Sequence, residues 1–163
     1  MRRPFAAARL EVTTKRVILQ GGCLCGAVRY EAEGKSRQVA NCHCSMCRRH
    51  SGAAFLTYAA YPRERVRFTR GSPAEYRSSA AVVRGHCAVC GSPLTYVSDA
   101  DPNTIWLTVG SFDEPNRVPP TEDWYVATRL EWVRLDEALP RAEDAPDANS
   151  TLGACISRGR QSP

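Results

Sequence analysis

No run of about 18 apolar residues occurs anywhere in this 163-residue chain, so no segment reads as a membrane-spanning helix. The N-terminus places Arg2, Arg3 and Arg9 around a short alanine-rich patch but lacks the apolar core of a secretory signal. Residues 1–16 are therefore expected to form a disordered leader, with a weak organelle-targeting peptide as the alternative. An excess of positive charge is also missing where it would matter. The net charge is +5, yet residues 1–20 alone hold five Lys/Arg against one Glu. Residues 21–140 hold fourteen basic against thirteen acidic side chains, and residues 141–163 hold three against three. A zinc module that binds DNA or RNA carries a basic face on the domain itself, so no nucleic-acid partner is expected. No internal repeat is present.

What remains is the composition of an ordinary globular protein, 43% hydrophobic and 24% charged. The length suits one domain, expected over residues 17–140. From residue 141 to 163 Ala, Asp, Asn, Ser, Gly and Arg prevail with little apolar content, which predicts a disordered tail. Inside the domain, short β-type runs recur about every ten residues between Gly and Pro signals. They are 17–20, 26–32, 54–60, 65–69, 74–77, 94–97, 104–109 and 127–134. The pattern predicts a mainly β, antiparallel architecture. One brief helix is expected from about Ser45 to His50, just after the middle of three cysteine clusters.

Those clusters dominate the sequence. Seven of eight cysteines fall into Cys23-Leu24-Cys25, Cys42-His43-Cys44-Ser45-Met46-Cys47 and Cys87-Ala88-Val89-Cys90. With no secretory signal evident, a cytoplasmic, reducing setting is the default, and clustered thiols there are metal or redox sites more often than disulfides. A structural zinc takes four thiolate or imidazole ligands, whereas a working zinc keeps three and leaves a position open. Seven is one too few for two closed sites, so one closed and one open site account for all seven. Spacing leaves the partition undecided. Cys44 and Cys47 can pair with Cys87 and Cys90 as two zinc-ribbon knuckles, leaving Cys23, Cys25 and Cys42. Alternatively Cys23 and Cys25 join Cys87 and Cys90, leaving Cys42, Cys44 and Cys47 on one short segment that needs no long-range closure. Gly26 and Gly91 follow the last cysteine of their clusters, where the chain must turn so that backbone N–H groups face sulfur. Cys155 stands alone in the tail and reads as a spare thiol.

Gly22-Cys23-Leu24-Cys25-Gly26, Cys42-His43-Cys44-Ser45-Met46-Cys47-Arg48 and Cys87-Ala88-Val89-Cys90-Gly91-Ser92-Pro93-Leu94 resemble the glutathione-dependent formaldehyde-activating enzyme family, also called centromere-protein-V-like. The resemblance runs from about Val17 to Pro140 and includes Trp106 and the stretch Trp124–Trp132. It implies a β-tent-type zinc fold with two zincs per chain. By motif, Cys23, Cys25, Cys87 and Cys90 would hold the structural zinc, and Cys42, Cys44 and Cys47 a catalytic, labile one. The partners implied are glutathione or another small thiol and a small aldehyde, in carbon–sulfur lyase chemistry. One departure is visible: Asp123-Trp124-Tyr125-Val126 stands where members often carry a histidine.

Three thiolates leave a zinc with one net negative charge, which makes it a weak activator of water and a better binder of a further thiol. Arg48 and Arg49, beside Cys47, are candidates to receive a glutathione carboxylate, the alternative being solvated helix-face arginines. His43 reads as a turn residue pointing away from the metal, with a proton shuttle as the alternative; His50 and His86 read as structural or exposed. Trp106, Trp124 and Trp132 read as core or rim. The competing functional classes are a non-enzymatic zinc interaction module whose middle cluster gains His43, His50 or His86, a glutathione carrier, and a thiol redox sensor.

Overall fold

A computed structural model describes residues 17–143; the leader, Cys155 and the rest of the tail lie outside the described residues. Among the described residues, eleven strands form two sheets, accompanied by one short α-helix. Strands β1 (Ile18–Gly22), β2 (Arg29–Glu33) and β5 (Val66–Arg70) make a three-stranded antiparallel sheet with β2 in the middle. The larger sheet contains β3 (Gln38–Cys42), β4 (Leu56–Pro62), β6 (Ala74–Ser79), β7 (Val82–His86), β8 (Pro93–Ser98), β9 (Asp101–Thr108), β10 (Glu122–Trp124) and β11 (Arg141–Ala142). Its order is β11-β10-β3-β4-β9-β8-β7-β6, with β10 parallel to both neighbours and every other pairing antiparallel. Among the described residues no helix is long and apolar enough to cross a membrane.

The mainly β expectation holds, and the differences have physical reasons. β3, β7 and β10 are short, and each contains a polar or charged residue that breaks the apolar alternation: Asn41, Arg84 and Asp123. All three of these side chains are at least partly buried and hydrogen-bonded to distant residues, information that is not local. The strand expected at 127–134 does not form. Tyr125 adopts left-handed geometry at φ 59°, and a 3₁₀ turn at Val126–Thr128 carries the chain off the sheet. The last sheet pairings are made instead by Glu122–Trp124 and, one residue beyond the expected domain edge, by Arg141–Ala142.

Side chains on a strand alternate between faces, and here that alternation separates two cores. On β4, Ala59 and Tyr61 point toward the three-stranded sheet and pack with Leu19, Tyr30, Ile105, Leu107 and Phe112. Tyr58 and Ala60 point the other way and pack with Trp106, Trp124, Tyr96 and Val82. β3 repeats the pattern, with Val39 in the first core and Ala40 and Cys42 in the second. Cys23 and Cys87 belong to the first core, and Cys42, Cys44 and Cys47 to the second. The sheet therefore holds the two sulfur clusters apart.

The end of β1 is sterically tight. A methyl group on Gly22 would come within 2.3 Å of the Val28 carbonyl oxygen, which accepts the Cys23 N–H at 3.0 Å. Gly22→Ala should cost about 1–3 kcal/mol through this overpacking. A fall in the urea midpoint without change in slope checks it, and an unchanged midpoint contradicts it.

Candidate metal centres

Two hairpins present the first cluster. The β1–β2 turn carries Cys23 and Cys25, and the β7–β8 turn carries Cys87 and Cys90. The turns use the same device. In one, the Gly26 N–H bonds to the Cys23 carbonyl at 3.0 Å; in the other, the Gly91 N–H bonds to the Cys87 carbonyl at 2.9 Å. Both glycines sit in the left-handed region, at φ 73° and 74°, where other side chains are strained. Backbone N–H groups then reach sulfur, as where Val28 donates to Cys23 Sγ at 3.2 Å. Ser92 ties the hairpins together by accepting the Leu24 N–H at 3.1 Å while lying 3.2 Å from Cys90 Sγ.

The four sulfurs of this cluster all lie within 4.8 Å of one another. Cys23 and Cys25 Sγ are 3.6 Å apart, and Cys25 and Cys87 Sγ 3.8 Å. A tetrahedron with metal–sulfur bonds of about 2.3 Å has edges of about 3.8 Å, so the set fits zinc. Protonation tells the same story. The Ser92 hydroxyl and backbone N–H groups lower Cys90 to about 5. Cys25 receives a favourable backbone bond at Ala27, yet desolvation and the sulfurs of Cys23, Cys90 and Cys87 raise it to about 11. The first thiol to ionise makes the last reluctant, a conflict that a central dication removes.

The second cluster comes from one segment. Cys42 ends β3, Cys44 caps the N-terminus of α1 (Ser45–Ser51), and Cys47 lies in the helix's first turn. Cys44 Sγ accepts the Cys47 N–H at 3.3 Å, so the cap that starts the helix also orients two sulfurs. Gly52 closes the helix at φ 69°. The three sulfurs lie within 4.8 Å, and the three residues are at most 1% exposed. Bonding to Cys44 and to Cys47, then burial, pushes the Cys42 thiol well above its ordinary value. This set also fits a thiophilic dication. Among the described residues no histidine or carboxylate joins either cluster. The alternative pairing of Cys44 and Cys47 with Cys87 and Cys90 is not what the fold assembles.

His43 lies between two ligand cysteines in sequence but joins neither cluster. It is buried, and its Nε2 lies 2.9 Å from Asp123 Oδ1, which also accepts from Asn41 Nδ2 at 3.1 Å. Asp123, in the stretch that lacks a histidine, thus anchors the histidine of the cysteine motif. His50 Nδ1 lies 2.9 Å from the Tyr76 hydroxyl, and burial, then the charges of Arg84 and His86, lowers its pKa to about 4. Trp106 and Trp124 are buried edge-to-face with ring centres 5.4 Å apart, whereas Trp132 is 71% exposed. Trp132 and Leu130 line a cavity of about 420 Å³ together with Ser45, Arg48 and Arg49. Arg48 Nε is buried there without a hydrogen-bond partner, while Arg49 is exposed. A larger cavity of about 520 Å³, around Leu19, Tyr61 and Val118, shares no residue with either cluster.

The family model for glutathione-dependent formaldehyde-activating enzyme matches residues 18–128. The chain belongs to this family. A Schizosaccharomyces pombe protein named as an uncharacterized lyase is 26% identical over 129 residues, which cover 74% of this chain and 93% of that protein. A crystal structure of a Rhodobacter sphaeroides protein is 23% identical with a TM-score of 0.49, covering 76% of this chain and 99% of that one. The matched span contains both cysteine clusters and ends four residues after Trp124. Two residues that sequence reading did not connect to the site are Asp123 and Arg84. The only local signal was a charged residue inside a short apolar run.

Asp123 takes two bonds in a buried setting, so Asp123→Ala should cost about 3 kcal/mol or more, and Asp123→Asn, which keeps an acceptor, less than half of that. Urea denaturation of the two variants checks the order; equal stability of both with the parent chain contradicts it.

Proposed function

We propose that this chain catalyses carbon–sulfur bond formation and cleavage between glutathione, or a similar small thiol, and formaldehyde or a related small aldehyde. The observation that carries the reading is the three-cysteine cluster, Cys42, Cys44 and Cys47, set apart from a complete four-cysteine cluster. Membership of a family described by glutathione-dependent formaldehyde activation supports the same chemistry. In this reading Cys23, Cys25, Cys87 and Cys90 hold a structural zinc, and Cys42, Cys44 and Cys47 hold a second, exchangeable one. A zinc held by three thiolates supplies affinity for one more sulfur and lowers that sulfur's pKa, without strongly acidifying water.

The chain's own groups position the reactants. Arg48, which lines the cavity beside α1, receives a carboxylate of the thiol there. Arg49 adds a second, solvent-screened charge, and Trp132 gives an apolar wall. In the addition, the thiol's sulfur forms a bond to the aldehyde carbon as the carbonyl π pair moves to oxygen. The proton released from sulfur ends on that oxygen, giving a hydroxymethyl thioether. The reverse reaction is the lyase direction. Such additions proceed unaided, so holding the two reactants together is the main contribution needed. Met46, Leu56 and Ala142 pack against the core that contains the three cysteines.

The reading is tested with cobalt in place of zinc. Addition of glutathione should change the ligand-field spectrum of the second equivalent of metal, and Cys44→Ser should lose both that equivalent and the response while retaining the first. No change in the parent chain would contradict the reading. Arg48→Ala should weaken thiol binding by about 10- to 100-fold, the range of a lost charge-assisted bond. Glutathione titration of the cobalt form measures this, and an unchanged affinity removes Arg48 from the site.

A further inference from the structure

Arg84 lies on β7, on the same face as Val82, and is 1% exposed. Strand register sets it directly opposite Tyr96, which in turn stands opposite Trp106. The guanidinium lies 5.0 Å from the Tyr96 ring centre. Its three nitrogens are fixed separately: Nε donates to Ser78 Oγ at 3.1 Å, Nη1 to Tyr58 Oη at 2.6 Å, and Nη2 to Cys47 Sγ at 3.5 Å. A planar, permanently charged fork is thereby aimed at a sulfur of the second cluster.

The two clusters differ in how their charge can be carried. Four thiolates around a dication leave two net negative charges, but Cys25 is exposed and Cys90 half-exposed, so solvent screens the first cluster. Three thiolates around a dication leave one net negative charge, and Cys42, Cys44 and Cys47 are all buried. A buried charge is costly unless an opposite charge lies beside it. We infer that Arg84 is the countercharge of the second centre: it allows three buried thiolates to hold a dication and then to admit an anionic fourth ligand, a thiolate. Arg84 touches Cys47 and not the reactants, so it is a positioning residue. The inference rests on the proposed thiol-binding function for its second half only; the metal-holding half stands on the geometry alone.

The test compares the parent chain with Arg84→Met, Arg84→Lys and Tyr58→Phe, each titrated with cobalt against a competing chelator and then with glutathione. Arg84→Met should bind the first cobalt as the parent does and the second about 10- to 100-fold more weakly, the usual effect of losing a group that supports a metal ligand. Arg84→Lys should recover most of that loss, because it restores charge without the fork. Tyr58→Phe, which removes a bond to Arg84 but no charge, should stay within about threefold of the parent; this variant and the lysine variant decide the matter if the methionine variant does not fold. Second-cobalt affinity in Arg84→Met within twofold of the parent overturns the inference. So does a lysine variant as weak as the methionine one, or a Tyr58→Phe loss of tenfold or more. A parent chain that holds two cobalts with no spectral response to glutathione sinks the proposed function while leaving the metal-holding half intact. A parent chain that takes a single cobalt contradicts both.

Discussion

Thiols crowded within 4.8 Å of one another cannot all ionise unless a cation lies between them. The architecture of this chain is organised around that constraint. Cys23 and Cys25 at one hairpin and Cys87 and Cys90 at another are far apart in sequence, and their mutual approach fixes the β1–β2 hairpin against the β7–β8 hairpin. In a chain of this size a structural zinc contributes to folding directly, because its binding energy becomes available only when the ligands converge. The glycine at φ 73° or 74° in each turn and the shared Ser92 are the local means of reaching that convergence.

The same constraint is met differently on the other side of the sheet. Cys42, Cys44 and Cys47 come from a strand end and the first turn of α1, so their convergence needs only one helix cap. Because they draw on local geometry, loss of metal there need not release distant elements, which is what an exchangeable centre requires. Burial there removes solvent screening, and the fixed charge in contact with the cluster is Arg84, whose Nη2 donates to Cys47 Sγ. Alternation along β3 and β4 keeps the two cysteine clusters on opposite faces, which leaves room for the separate roles proposed for them.

Much of this was legible in the sequence wherever the information was local. The short β-type runs between Gly and Pro signals predicted the mainly β class, the cysteine spacing predicted one four-ligand and one three-ligand set, and the segment after Cys44 predicted α1. The partition stayed open because either pairing satisfied the spacing; contact between the β1–β2 and β7–β8 hairpins decided the grouping. Arg84 was one basic residue among fourteen in the domain, and nothing near it in sequence announces that it reaches Cys47, 37 residues away. Asp123 meets His43 across 80 residues and so read only as the absence of a histidine. The strand expected at 127–134 failed because Tyr125 takes a left-handed conformation that a residue without glycine's freedom rarely shows.

The central proposal is that the chain holds one closed four-cysteine centre and one three-cysteine centre that admits a further sulfur. X-ray absorption at the zinc edge, on protein carrying two zincs per chain, tests it most directly. The account predicts a mean sulfur coordination between three and four per zinc, with a lighter atom completing the second centre, rising to four when glutathione is added. Four sulfurs per zinc before any thiol is added, or a mean that glutathione leaves unchanged, would contradict it.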